Sequence, residues 1–309
     1  MSPRGGPDAM AERGRLAAMR PRLERRSRII GALRAVLADG GFLEVETPVR
    51  LAAPALETHI DAEPAGEAYL RTSPELHMKR LLAAGYPRLF QIGPCFRRGE
   101  RGPWHHPEYA MLEWYRADAG YRDVLRDAER LVRAAADAVA GAGPAPAVDV
   151  HAPWEVLRVD DAFLRWAGWN PVTAWDADRF DLDLVDHVEP NLPRDRATVL
   201  VDYPAPAAAL ARLSADDPRV AERWELYLGP LEIANAFAEL TDAAEQRARF
   251  EACARERARA GRPVYPVDEP FLAALEAGMP PSAGVALGVD RLVLALAGGD
   301  SLDDVIAFR

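Results

Sequence analysis

The chain has 309 residues, a net charge of −10 and a hydrophobic share of 49%. The length allows one large domain or two small ones, the apolar share supports a sizeable core, and the acidic balance argues against a protein that holds nucleic acid mainly by counterion release. Cys95 and Cys253 are too few for a disulfide framework, no Cys/His spacing resembles a zinc site, and no run of about 18 apolar residues exists to span a membrane.

The Arg-rich segment up to Arg26 lacks the apolar stretch of a signal peptide, so a cytoplasmic protein is expected. Residues 1–22 are expected to be a flexible segment ahead of a domain spanning 23–309. Apolar spacing then predicts a helix over Leu23–Ala38, stopped by Gly40-Gly41, and a short strand over Phe42–Val45 closed by Thr47-Pro48. Tyr69–Thr72 reads as a strand. A helix opens at Ser73-Pro74-Glu75, with Ser73 as its expected N-cap, and runs through Ala84 to Gly85. Lys79 in that helix is the only lysine of the chain, which codon usage in a GC-rich genome explains without appeal to function.

Leu89–Arg116 holds two strand-like runs around a loop dense in Arg, Gly and His. A hairpin of this kind holds cations over a sheet, with Glu113 and Tyr115 at its far end. Tyr121–Ala140 reads as an amphipathic helix, 142–148 as a linker and Asp161–Ala167 as a further helix. Strands are expected at Ala197–Tyr203, and at Arg223–Leu228 and Leu231–Leu240 around Gly229-Pro230. A polar helix over Ala243–Ala260, a strand over Ala283–Leu287 and a buried helix over Val289–Ala297 complete an α+β order of antiparallel strands flanked by helices. No Gly-rich strand-to-helix phosphate loop is present, which leaves a Rossmann or P-loop reading without support.

Four groups of residues carry candidate chemistry. Arg97, at a strand end, can offer a planar fork to a phosphate or simply stand in solvent. Gly284 to Leu292 runs from a small-residue strand into a helix that presents Arg291; it suits either a flat anionic ligand or close strand–helix packing. Glu225, Glu232 and Glu239 recur every seven residues, the last two in an otherwise apolar run. Such carboxylates need a cation or a donor, and Mg²⁺ with phosphate oxygens would satisfy them, unless they face solvent. Ser73-Pro74-Glu75 serves a helix start or a ligand. Glu108 and Glu113 lie five apart on one strand, so only one of them can line a given pocket. His105 and His106, being adjacent, suit loop positioning or ligand contact better than a metal pair.

Together these segments resemble the class II aminoacyl-tRNA synthetases of the lysyl type. Phe42 to Pro48 resembles motif 1, Phe96 to Tyr109 motif 2, and Gly284 to Leu292 motif 3. More narrowly, TSPELHMKRLL, HPEYAMLEWYR and GVALGVDRL are similar to the elongation factor P–lysine ligases, paralogues that lack an anticodon-binding domain. The resemblance covers roughly residues 25 to 309. It implies a class II catalytic domain with an antiparallel sheet, a homodimer, and ATP as a substrate with Mg²⁺. It further implies a lysine-like amino acid, (R)-β-lysine in this family, activated as an adenylate and passed to a lysine of elongation factor P. No stable nucleic-acid binding is expected.

The resemblance assigns Arg97 to the α-phosphate and Arg291 to the γ-phosphate, as the catalytic pair. Glu100, His105, His106, Glu232, Ile233 and Gly288 join them at ATP. Glu225 and Glu232 are assigned to the metal. Ser73, Glu75, Glu113, Tyr115, Asn235, Glu239 and Ala286 are assigned to the amino acid. The sequence departs from the family pattern at five positions. Glu100 stands one place late after Arg97, and His106 replaces an Asn. Ala236 and Ala238 replace a Gly and a polar residue, and Ala286 stands where lysyl-tRNA synthetases have Gly. A different acceptor, tRNA or a small amine, and a catalytically silent paralogue are the competing readings.

Overall fold

The computed structural model describes residues 9–308. In chain order it contains α1 (Ala9–Asp39), β1 (Leu43–Glu44), β2 (Arg50–Leu51), β3 (Pro64–Ala65), β4 (Ala68–Leu70), α2 (Glu75–Ala83), β5 (Arg88–Phe96) and β6 (Glu108–Ala117). There follow α3 (Tyr121–Asp137), β7 (Glu155–Arg158), α4 (Val159–Trp166), α5 (Ala177–Asp183), β8 (Ala197–Pro204), β9 (Val220–Leu228) and β10 (Leu231–Ala238). The chain closes with α6 (Ala243–Arg259), α7 (Glu269–Glu276), β11 (Ser282–Gly288) and α8 (Val289–Ala297).

Eight strands form one sheet in the order β1-β5-β6-β11-β10-β9-β8-β7. Its six central strands pair antiparallel, while β1 joins β5 and β7 joins β8 in parallel. This is the mixed α and β architecture, with helices packed on a mostly antiparallel sheet, that the sequence pattern predicts.

Strand alternation sorts side chains between the two faces. Phe90, Leu112, Trp114, Trp224, Leu226, Val285 and Leu287 point to one face, where Ile29 and Leu33 of α1, Leu131 of α3 and Leu292 of α8 bury them. Their neighbours Leu89 and Tyr115 point the other way, into a second core shared with Leu76 and Met78 of α2, Phe250 of α6 and Phe271 of α7. A third cluster, around Phe163, Phe180, Tyr203 and Tyr227, closes that side at the β8 end.

Several boundaries differ from expectation. Residues 9–22, expected as part of a flexible segment, belong to α1; residues 1–8 of that segment lie outside the described residues. Pro21 and an Arg-rich, weakly amphipathic sequence conceal this first half of the helix. Long-range contacts hold it: Arg15 donates to the Ala307 carbonyl at 3.0 Å and Arg22 pairs with Asp304 at 3.1 Å. The 142–148 loop packs inward instead of hinging, with Val148 in the main core and Gly143 under the Arg25 guanidinium. α2 starts one residue later than the Ser73 cap implies, with Pro74 at its N-cap position; the Ser73 hydroxyl nevertheless accepts from the Glu75 amide at 2.9 Å.

Candidate active site

A cavity of about 310 Å³ opens on the face opposite α1, α3 and α8. Strand register builds its floor in rows. One row crosses β6, β11, β10 and β9 as Glu113, Ala286, Asn235 and Glu225. The next crosses the same strands as Tyr115, Gly284, Phe237 and Arg223. Gly288 lies opposite Met111 in the row beyond Ala286.

Glu232 and Glu239 are an odd number of residues apart, so a regular strand would send them to opposite faces. The register between β9 and β10 slips between Glu232 and Ala234. Ile233 and Ala234 both contribute to the main core, the mark of a bulge. That single irregularity brings Glu232 to the cavity face alongside Asn235, Phe237 and Glu239.

At one end of the cavity the charges are cationic. Arg291, in the first turn of α8, donates to Glu232 at 3.0 Å, to the Trp104 carbonyl at 3.2 Å and to Nε2 of His105 at 2.7 Å. Burial and the Arg291 charge both lower the His105 pKa, so a neutral ring accepts that bond. Asp290 steadies the helix start by accepting from the Ala110 amide at 2.7 Å and pairing with Arg26 of α1 at 2.5 Å. Arg97 lies over the Tyr109 ring, 5.3 Å from its centroid, and 3.7 Å from Glu100. His106 turns back on its own strand, with Nδ1 2.5 Å from the Glu108 carbonyl.

Glu225 accepts from Arg223 at 2.5 Å, from Tyr203 at 2.6 Å and from Tyr227 at 2.7 Å. Burial first, and then the Glu225 charge, raise the Glu232 pKa. A buried carboxylate whose ionisation a neighbouring charge opposes suits a divalent cation, and Mg²⁺ takes one or two carboxylates with phosphate oxygens for the rest. Among the described residues no group of three His, Cys, Asp or Glu side chains has the arrangement of a complete metal site. Glu225 and Glu232 offer two carboxylates on this face of the cavity, fewer than a complete all-protein site needs.

The other end is anionic. Glu113 is buried and accepts from Ser73 at 2.6 Å and from Tyr115 at 2.8 Å. Burial, and then the neighbouring Glu75, push its carboxyl up to about 8. Lys79 is 1% exposed and sits between Glu75, at 2.5 Å, and Glu239. Despite this pairing, burial pushes the Glu239 carboxyl up to about 7. Gly284 is required here by close approach: a Cβ at this position would lie 2.2 Å from the Tyr115 ring and 2.6 Å from Glu239.

All sixteen residues that the resemblance assigns to ATP, metal or amino acid line this one cavity. Of the two hairpin glutamates, Glu113 lines it and Glu108 does not. Glu225 and Glu239, read as exposed in the alternative, are 7% and 1% exposed. Sequence reasoning did not single out Glu57, Arg223 or Tyr109, which also line it, nor the role of Lys79 behind it. Lys79 could have been found: an isolated lysine one turn after Glu75 is a ready ion pair. Arg223 and Glu225 alternate with Trp224 and Leu226 on β9, a polar–apolar pattern that marks the Arg as well as the Glu.

The family described as tRNA synthetases class II (D, K and N) matches residues 11–309. The elongation factor P–(R)-beta-lysine ligase of Proteus mirabilis (strain HI4320) is 39% identical over 319 residues, covering 93% of this chain and 94% of that protein. The chain belongs to the class II synthetases, among the elongation factor P–(R)-beta-lysine ligases. Proteins of the same description from Pectobacterium carotovorum and Enterobacter sp. (strain 638) are each 41% identical, over 305 and 308 residues, with the same coverage. No described helix is long and apolar enough to cross a membrane.

Proposed function

We propose that this protein activates a lysine-like amino acid, (R)-β-lysine, with ATP, and transfers it from the adenylate to a lysine side chain of elongation factor P. The observation that carries this reading is the polarity of one continuous cavity. Arg97 and Arg291 stand at one end, and Glu75, Glu113 and Glu239 at the other. A substrate that brings phosphates to the first end and two ammonium groups to the second neutralises both. The names of the relatives supply the isomer and the acceptor, and Ala286, in the row between Glu113 and Asn235, agrees with an amino-acid pocket reshaped from the lysyl type.

In the first step the amino-acid carboxylate attacks the α-phosphorus and pyrophosphate leaves. Arg97 holds charge at the α-phosphate and Arg291 at the far phosphate, in a site where fixed cations need no reorganisation. Glu225 and Glu232 would hold Mg²⁺, which would supply further charge neutralisation at the phosphates. Glu75, Glu239 and Tyr115 orient the amino groups, while Ser73 fixes Glu113. Catalysis is then mostly positioning and electrostatics. The pairing of motif 1 across a homodimer is part of the same reading.

Amino-acid-dependent exchange of pyrophosphate into ATP is the test, run with α-lysine and both β-lysine enantiomers. Mass analysis of elongation factor P for the added acyl group follows. The expected result is exchange strongest with (R)-β-lysine and an acylated acceptor. Failure to exchange with any lysine isomer would sink the reading.

A further inference from the structure

Eight acidic side chains line the cavity: Glu57, Glu75, Glu100, Glu113, Glu225, Glu232, Glu239 and Asp290. Seven of them have a partner described above. Of these eight, Glu57 alone has no hydrogen bond or ion pair to its carboxylate among the described residues. It is nevertheless not on a loose strap. The buried guanidinium of Arg257, from α6, donates to the backbone carbonyls of Glu57 at 2.6 Å and Ile60 at 2.8 Å, and to the Asp61 side chain at 2.5 Å. Ala55, Leu56 and Ala62 anchor the same loop in the second core. The protein therefore fixes the backbone that carries Glu57 and leaves the carboxylate's lone pairs free among the described residues.

Its place in the cavity gives it a task. Apart from burial, the strongest influences on it are Arg97, from the phosphate end, and then Glu75, from the amine end. On the proposed function, on which this inference rests, the reactive carbonyl of the adenylate must lie between those two residues. We propose that Glu57 is the general base of the transfer step, taking a proton from the incoming lysine ammonium. The acceptor arrives protonated and has no lone pair for attack. Loss of one proton to Glu57 frees that pair. The N–C bond then forms as the bond from the carbonyl carbon to the phosphate oxygen breaks, and AMP leaves with those electrons. The nitrogen's remaining excess proton passes to water, leaving a neutral amide.

The electrostatic setting suits the task. Burial pushes the Glu57 carboxyl up to about 7, opposed by Arg97 and Arg223 and reinforced by Glu75 and Glu100. Tyr109 from the hairpin and Cys253 from α6 are the other titratable groups that face it. A base works best when its pKa lies near the working pH.

The experiment compares two nucleophiles on adenylate preformed by the enzyme. Elongation factor P brings a protonated lysine, whereas hydroxylamine is already neutral at pH 7 and needs no base. In single turnovers Glu57→Gln should lower the ratio of acceptor rate to hydroxylamine rate by about a hundredfold, the usual range for removal of a general base. The levelling of that ratio above pH 7 in the wild type should disappear, and the Glu57→Gln ratio should instead keep climbing with the free-amine fraction of the acceptor. Glu57→Asp, which keeps a carboxylate but withdraws it, should lower the ratio less. A ratio unchanged by either substitution, whether both rates fall or neither does, overturns the assignment. Absence of adenylate in the wild-type protein instead overturns the activation reading, and is seen before any variant is made.

Discussion

Replacing Lys79 with methionine removes a cation that is 1% exposed and touches two carboxylates, Glu75 and Glu239. Methionine fills a similar volume, so the cost is chiefly electrostatic. Breaking a buried ion pair from one side costs about 3–5 kcal/mol, because the abandoned carboxylates must either stay buried as charges or take up protons. For a chain of this size that is a fall in Tm of about 5–8 °C. The pH dependence is the sharper part. Burial already holds the wild-type Glu239 carboxyl up at about 7 with Lys79 beside it. Without Lys79 it binds its proton still more tightly, while in the unfolded chain it ionises near its ordinary value. A carboxyl raised on folding stabilises at low pH and loses that contribution as pH rises through its folded value. Wild-type Glu239 sheds its proton midway between pH 6 and 8, whereas the variant keeps it throughout. The deficit of the variant should therefore widen by about 1.4 kcal/mol over that interval, the worth of one pKa unit. Thermal melts of both proteins at pH 6 and pH 8, without ligand, measure it. A Tm that does not change, or a deficit that shrinks toward alkaline pH, refutes the reasoning.

Gly284→Ala forces a methyl group into the Tyr115 ring. Overpacking of about 1–3 kcal/mol, spent at the amine end, should raise the KM for the amino acid at least about fivefold. The KM for ATP should stay near its wild-type value, and exchange kinetics at saturating co-substrate read both. Glu232→Gln keeps an acceptor for Arg291 but removes a charge from the partial metal set, so half-maximal exchange should need severalfold more Mg²⁺; an unchanged Mg²⁺ titration would remove Glu232 from that role. Glu57 and Glu239 are held up at about 7 and Glu113 at about 8. Each binds its proton more tightly folded than unfolded, so the ligand-free protein should lose stability to denaturant between pH 7 and 8.5. The saturating amino acid should reduce that loss, since its ammonium groups favour ionised carboxylates.

How legible the site was depends on what kind of feature placed each residue. Arg97, Glu113 and Tyr115 stood out because a charged or polar side chain in an apolar strand has few reasons to be there, and β6 keeps its alternation without a break. Glu232 and Glu239 were legible as chemistry but not as geometry. Their odd spacing argues for opposite faces, and only the slip at Ile233 reconciles them. Nothing in LEIANAFAEL announces a bulge, because Ile233 and Ala234 are both ordinary core residues. Glu57 was missed for another reason: it lies on a loop without periodicity, and the residue that fixes it, Arg257, is two hundred positions away in the chain. In the fold, α1 began too late in the reading because tertiary contacts, not an apolar stripe, stabilise its first half. The short α5 and α7 and the strand β7 went unread, being too brief to show a period.

The solitary lysine has a consequence for the chemistry proposed around it. An activated acyl group that escapes before transfer attacks the nearest primary amine. In this chain Lys79 is the only side chain that carries one, and it is sealed beneath the site with its ammonium committed to Glu75 and Glu239. Every other basic surface group apart from histidine is an arginine, whose guanidinium stays protonated and is a poor nucleophile. The side chains of such an enzyme offer no amine target to their own product, so acyl mass found on a lysine in a reaction mixture reports the acceptor alone.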